Sequence, residues 1–519
     1  MKSKYSLILC VMATLPAWSQ SAYDSLMSLG HYQMLDQQLL FHHTNNAAGL
    51  AIDASPNRGT AAFRYTYDGG HYRRVQEGTS THALHFVTES YQKLSKWLYA
   101  YGKFDFNTGR TKEKAWADVM RPYNSNPYFA GSSRAGRYDF QNIKLSASVG
   151  TTQIGAWNFG AKLDYTVGDL SRLRDPRSRA ELLNYRITPS LLYHFGRQAI
   201  GLSGWYDRRK EKINGLTTVQ QDANLKYYLM AGMEHAVGTL GGFSAFQREW
   251  VNHTLGTELS WYAQTTDEAL CSLTTLTLQR GSESVLGQYK YQPGHYYTYD
   301  YGFTHQTLIR TQHLLHRIDL GAQYEEAYAN EYRPQLVITT DPATGISSYR
   351  YDNQLTFKKR YQVKVLNANA HYRLSTLETQ GKWGYIGGLL TYQTVTNRYL
   401  LPTSELQYRR LNTALEMGGS CHAVTLNVQG GYSFSTRSRL DLADVHTDYA
   451  RQVLSPDMRY YSLNYAFGHV DVAYEHPFAF KNYRTKAFIK GWIDAIATAK
   501  YRGNNYHQYQ MGVSLGVVY

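Results

Sequence analysis

The sequence predicts an all-β fold: a closed antiparallel transmembrane β-barrel of about 18 strands, with roughly 14 or 16 as the alternatives. Three observations predict it. Apolar and polar residues alternate with a period of two over many segments, short turns exchange regularly with long loops, and the last strand ends on an aromatic residue.

The alternation is clearest at the C-terminus. Tyr509, Met511, Val513, Leu515, Val517 and Tyr519 alternate with Gln508, Gln510, Gly512, Ser514, Gly516 and Val518. One face is apolar with aromatic ends and the other is small and polar, which suits lipid outside and a wet lumen inside. The same pattern runs through Ile143–Val149, Trp157–Tyr165, Tyr185–Tyr193, Ile318–Tyr324 and Val424–Phe434. Near 365 and 468 it slips by one residue, as a β-bulge would cause.

Short turns are expected near 94–96, 150–153, 195–198, 265–268, 311–313, 375–380, 419–421 and 475–482. Long polar loops are expected near 68–80, 107–135, 168–181, 210–250, 281–293, 328–352, 394–406, 435–456 and 497–504, with the run from 215 to 250 ambiguous in strand content. Strict exchange of the two is the asymmetry of an outer-membrane barrel, with periplasmic turns and extracellular loops. An even strand count lets the last strand pair with the first and leaves no open edge in lipid.

Composition agrees. The 12 Pro are few, no linker divides the chain, and the 47 Tyr are in excess. A mean hydropathy of −0.49 argues against a helical membrane protein but not against a barrel, which hides its apolar surface by alternation.

Residues 1–19 read as a signal peptide. Lys2 and Lys4 precede a short apolar run from Leu7 to Met12, and the small residues Ala17 and Ser19 stand before a cut at Gln20. Leu9 before Cys10 is too bulky for a lipoprotein signal. Cys271 and Cys421 remain, on strands too far apart in order to pair. The net charge of +14 falls to +12 when Lys2 and Lys4 leave. On an exported barrel that excess suits lipopolysaccharide phosphates or anionic solutes, or is plain surface charge, rather than nucleic acid.

Residues 20–59 do not alternate. Asp24 and Ser25 are candidate caps for a short helix carrying Leu26, Leu29, Leu35, Leu39 and Leu40. Asn45-Asn46-Ala47-Ala48-Gly49-Leu50 then suits a tight, buried backbone path. This segment is either a plug in the lumen or a periplasmic tail beneath the barrel of residues 60–519.

The leader, the barrel pattern and the terminal Tyr519 together resemble the large outer-membrane β-barrels of Gram-negative bacteria over the whole mature chain. Within these the chain is similar to a group of uncharacterised barrels, known only as a domain of unknown function. The resemblance implies an outer-membrane location and implies that the barrel-insertion machinery reads Tyr519. Residues 45–50 resemble the Asn-Pro-Ala N-terminal segment of long-chain fatty-acid transport barrels, with Ala47 in place of Pro. That likeness implies a hatch at Asn45, Asn46 and Gly49, and uptake of a hydrophobic substrate. A TonB-dependent receptor carries a large plug domain, and too little chain precedes Thr60 for one.

No motif for nucleophilic, zinc or phosphate chemistry occurs, and the pair His42-His43 lacks a third ligand at regular spacing. The sequence therefore predicts no enzyme, no metal and no cofactor. The register places Lys144, Lys162, Asp164, Arg186, Arg317, Asp319, Glu325, His371, Arg373, Glu416, Lys486, Lys490 and Asp494 towards the lumen, where mixed charges tune a pore or brace its wall. Two basic clusters, Arg172/Arg174/Arg177/Arg179 and Arg208/Arg209/Lys210/Lys212, are candidates for lipopolysaccharide. Trp116, Tyr123, Tyr128 and Phe129 are candidates to cap the pore or bind a partner. The expected function is a channel or hatch-gated uptake porin for small solutes. The alternatives are an anchor or partner subunit for a surface lipoprotein, receptor or secretion complex and, behind it, an outer-membrane hydrolase.

Overall fold

The computed structural model describes residues 27–220, 222–377, 382–480, 483–500 and 503–519. The leader, the cut at Gln20 and the candidate caps Asp24 and Ser25 lie outside the described residues. Eighteen antiparallel strands form one sheet that closes on itself. The first barrel strand, Arg58–Gly70, pairs on one side with Ser80–Ser95 and on the other with the last, His507–Val518. At the seam Gly59 N–H donates to the Tyr519 carbonyl at 2.7 Å, and Tyr519 N–H to that of Gly59 at 3.0 Å. The Tyr519 ring lies where a Cβ on Gly59 would sit, so only glycine lets the terminal aromatic cover the seam.

The period-two pattern decides which face meets lipid. On Gln247–Gln264, Leu255, Leu259 and Trp261 are exposed, while Thr254, Glu258 and Ser260 between them are buried; Leu259 is 48 % exposed and Glu258 3 %. A closed wall with an apolar exterior and satisfied backbone places the protein in a bacterial outer membrane. Among the described residues no helix is long and apolar enough to cross a membrane.

The order of turns and loops is as expected, but several loops are shorter than composition suggests. The polar stretch at 328–352 is mostly strand: Leu314–Thr340 and Ser347–Thr376 form a long hairpin closed by residues 341–346. Strands likewise run on to Gly287, Tyr399 and Asp441. Beyond the lipid a hairpin keeps its backbone bonds without needing an apolar face, so the alternation fades while the strand continues. The ambiguous stretch at 215–250 adds no further barrel strand between Gln198–Asn214 and Gln247–Gln264. Lys226–Gly232 and His235–Leu240 form a small separate sheet with Ala130–Gly131.

The expected bulges at 365 and 468 are absent, and pairing is regular there. Tyr361, Val363 and Val365 face inward and are buried. They join Val395, Tyr399, Leu406 and Tyr408 in a cluster with loop residues Trp116, Tyr228, Tyr449 and Tyr461. The inner face turns apolar where folded-in loops cover it, which imitates a slip of register. True shifts fall at Lys93/Ser95, Thr111/Lys114, Ala329–Tyr332 and Arg409/Arg410.

Candidate functional site

The N-terminal segment enters as the helix Leu29–Asp36, which begins after Ser28; the Ser28 hydroxyl accepts from His31 N–H at 2.9 Å. The single turns Phe41–His43 and Ala47–Gly49 and the short helix Leu50–Asp53 follow. Asp53 ties this chain together, its carboxylate accepting the N–H groups of Leu40, Phe41 and His42 at 3.0–3.2 Å.

Its anchors are spread round the barrel. Leu29 N–H donates to Glu475 at 2.7 Å and the Tyr32 hydroxyl to Glu89 at 2.5 Å. Arg317 donates to the carbonyls of Gln37 and Leu39 at 2.7 and 3.3 Å, and Ser375 to the Gln37 side chain at 3.0 Å. Asn45 meets Glu258 through its backbone and side-chain N–H groups at 3.0 and 2.8 Å. Asn46 caps Ala48 N–H at 3.1 Å and donates to Ser260 Oγ at 3.2 Å and to the Leu191 carbonyl at 3.3 Å. One short segment reaches polar-face residues on so many strands only from inside a closed wall. All these anchors lie towards the short-turn ends of their strands, so the segment occupies the periplasmic half of the lumen.

Two wall glycines make room for it. Gly150 and Gly160 are register partners on neighbouring strands, and a Cβ on either would collide with the backbone of Ala47 or Ala48. Gly49 is packed on the Phe41 ring as closely. At the joint with the barrel, Arg58 is fully buried. It donates to Ser55 Oγ at 2.8 Å, the Tyr32 carbonyl at 3.1 Å and Asp36 at 2.5 Å, between the rings of Tyr32 and Tyr91.

At the other mouth the aromatic loop residues Trp116, Tyr128 and Phe129 are packed into the apolar cluster against the inner wall, and Tyr123 lies under the Arg74 guanidinium at 3.5 Å. The two basic clusters are largely engaged within the protein. Arg172 is buried against Tyr138, Arg177 pairs with Asp175 at 2.9 Å, and Arg179 with Asp169 at 2.5 Å. Arg209 pairs with Glu211, Lys210 with Glu249 at 3.0 Å and Lys212 with Glu181 at 3.0 Å.

The inward charges sort into groups. Arg317, Asp319, Arg373, Glu416 and Lys490 line one cavity of about 670 Å³ between the N-terminal segment and the wall. There Arg317 meets Asp319 at 2.8 Å, and His371 and Arg373 both meet Glu416 at 2.7 Å. Lys490 meets Asp471 at 3.0 Å. Arg186 and Glu325 line a second cavity of about 340 Å³ under the loop at 115–135, with Arg186 on Asp207 at 3.2 Å. Lys162 meets Asp164 at 3.7 Å, Asp494 meets His469 at 2.6 Å and Lys486 meets Glu475 at 3.0 Å. Lys144 is exposed beside its register partner Asp105. Sequence reasoning missed Arg58, Glu258, Asp300 and the Gly150/Gly160 pair. For Asp300, alternation with Tyr299 and Tyr301 was a readable signal.

The segment carries opposed titrations. Burial first, then the neighbouring His43, lowers His42 to about 4, and burial lowers His43 as well. Docking therefore weakens as pH falls from the ordinary histidine range towards 4, because the released chain takes up the protons more readily. Burial raises Asp53 to about 6, so its contribution is strongest in acid and is lost as pH rises through 6. Burial raises Asp36 as well, and Asp53→Asn removes one of these two acid-favouring members. Protease cleavage within residues 27–57 should then rise more steeply between pH 6 and 4 than in the native chain.

Comparison with protein families finds a model, described as a family of unknown function (DUF6850), matching residues 47–519. Comparison with curated proteins finds no match. Among solved structures, the outer membrane transporter YddB from Escherichia coli shares 9 % identity over 89 % of this chain and 81 % of that chain, with a TM-score of 0.40. The FrpB iron transporter from Neisseria meningitidis (F5-1 variant) shares 10 % over 91 % and 84 %, with a TM-score of 0.38. The copper transporter OprC shares 8 % over 89 % and 81 %, with a TM-score of 0.38. At this level of similarity nothing about cargo follows.

Proposed function

We propose, for a chain that belongs to the DUF6850 family of unknown function, that it is a hatch-gated uptake channel for small polar solutes, with its N-terminal segment as the hatch. One observation carries this reading. The segment is held to the wall by side-chain hydrogen bonds and three small apolar clusters, and a polar cavity of about 670 Å³ remains beside it. Purely structural filling would leave no such gap. The hydrogen bonds net only about 0.5–1.5 kcal/mol each and none belongs to the barrel's backbone ladder, so the segment can leave as a unit while the ladder stays closed. The cavity's polar lining favours a hydrophilic cargo over the hydrophobic one that the motif at 45–50 implies.

Lipid, lipopolysaccharide and the insertion machinery, reading Tyr519, complete the setting in this proposal. A surface partner finds its best support in the projecting hairpin, where Ile338 and Ile346 are exposed. Planar-bilayer recording tests the channel. The intact protein should hold a tight seal with rare openings, and deletion of residues 27–53 should give a steady ohmic current. A tight seal from both proteins would overturn the reading.

A further inference from the structure

The second cavity, of about 340 Å³, is within the roughly 300–1,000 Å³ range of small-molecule pockets. Most of its charges are already matched. Arg186 pairs with Asp207, and Arg209 pairs with Glu211 and Glu283. What remains is one cation and two acids. Arg121, on the loop above, has no side-chain hydrogen bond or ion pair among the described residues, although Glu283, Glu211 and Asp207 lie within reach of its field. The loop is pinned on both sides of it, by Met120 N–H on Glu211 at 2.8 Å and by the Asn126 amide on Glu283 at 2.7 Å, which presents Arg121 to the cavity. Asp300 and Glu325 are register partners on adjacent strands, share the same face of the wall and hydrogen-bond to each other, a bond that holds one proton between them and leaves the pair one negative charge. Gln279 donates to Asp300 at 2.9 Å, but among the described residues neither acid forms an ion pair with a basic side chain. Beside them Tyr296, 4 % exposed, lines the same cavity, and its hydroxyl has no hydrogen-bond partner. A buried hydroxyl without a partner is costly and marks a place where a ligand atom belongs.

We propose that this chamber binds a small zwitterion, a free amino acid or a short peptide. Its carboxylate sits on the Arg121 guanidinium, its ammonium on the Asp300–Glu325 pair, and the Tyr296 hydroxyl completes the contact. The proposal rests on the uptake reading and names its cargo class. The charge layout selects against the simpler ions. A lone cation would leave Arg121 facing a second positive charge, and a lone anion would sit beside the charge of the acid pair. A zwitterion satisfies both ends without adding net charge, and guanidinium binds carboxylate as a two-pronged fork.

Calorimetric titration of the full-length protein with the twenty free amino acids and with glycylglycine tests this. At least one probe should bind, and a best probe that is glycylglycine points to peptides over free amino acids. N-acetylation or amidation of the best binder should each weaken it about tenfold or more. Arg121→Gln should lower affinity for the parent to that of its amide, and Asp300→Asn should lower it to that of its N-acetyl form. Binding by none of the probes, or blocked forms binding as well as the parent, would overturn the assignment. The bilayer current after deletion of residues 27–53 is read separately. A barrel that opens but binds no probe loses the zwitterion and keeps the hatch.

Discussion

Gly160→Val should unseat the N-terminal segment while leaving the barrel closed. Gly160 and its register partner Gly150 form a trough on the inner wall into which the backbone of Ala47 and Ala48 fits. A Cβ at Gly160 would sit 2.5 Å from the Ala47 carbonyl carbon and nearer still to Ala48 N. These are backbone atoms, so no rotamer change relieves the clash, and the cost lies at or above the upper end of the ~1–3 kcal/mol usual for overpacking. Valine suits a strand, so the ladder of Trp157–Arg172 should not suffer. Single-channel recordings should show open probability raised at least tenfold, with the heat-modifiable gel shift of the folded barrel unchanged. Gly491→Ala, where a Cβ meets nothing within 4 Å, should behave as native.

Arg58→Met should have the second-largest effect. Arg58 ties the helix Leu29–Asp36 to the first barrel strand through Tyr32, Asp36 and Ser55. Methionine fills much of the space but leaves three acceptors unpaired. Removing one partner of a fully buried pair costs about 3–5 kcal/mol. Asp36 is 37 % exposed, so water recovers part of this and about 2–3 kcal/mol is expected. Amide exchange of residues 29–36 should then speed up on the order of 30- to 150-fold, while the strand amides keep their protection. Lysine at this position makes one of the three bonds and should restore only part of the protection.

The wall was legible because lipid forces alternation on each strand separately, so Tyr509–Tyr519 or Val424–Phe434 can be read without knowing the neighbours. The 18 strands and their turns follow from that local rule. Contacts between distant segments were not legible. Arg373 was placed inward, but its partner Glu416 is set by the register of three successive strands. The inner apolar face at Tyr361–Val365 looked like a slip because the loops that cover it are remote in sequence. Asn45, Asn46 and Gly49 stood out by residue type. Their partners Glu258, Ser260 and Phe41 became visible only with the segment folded into the barrel.

The central claim is that this segment closes the lumen and can leave it. Ala48 N–H lies 3.1 Å from Ser190 Oγ, so cysteines at these two positions, with Cys271 and Cys421 changed to serine, should lock the segment to the wall. In bilayers with moderate urea, the oxidised protein should stay silent and the same protein should begin to conduct on reduction. Equal current in the oxidised and reduced forms would contradict the account.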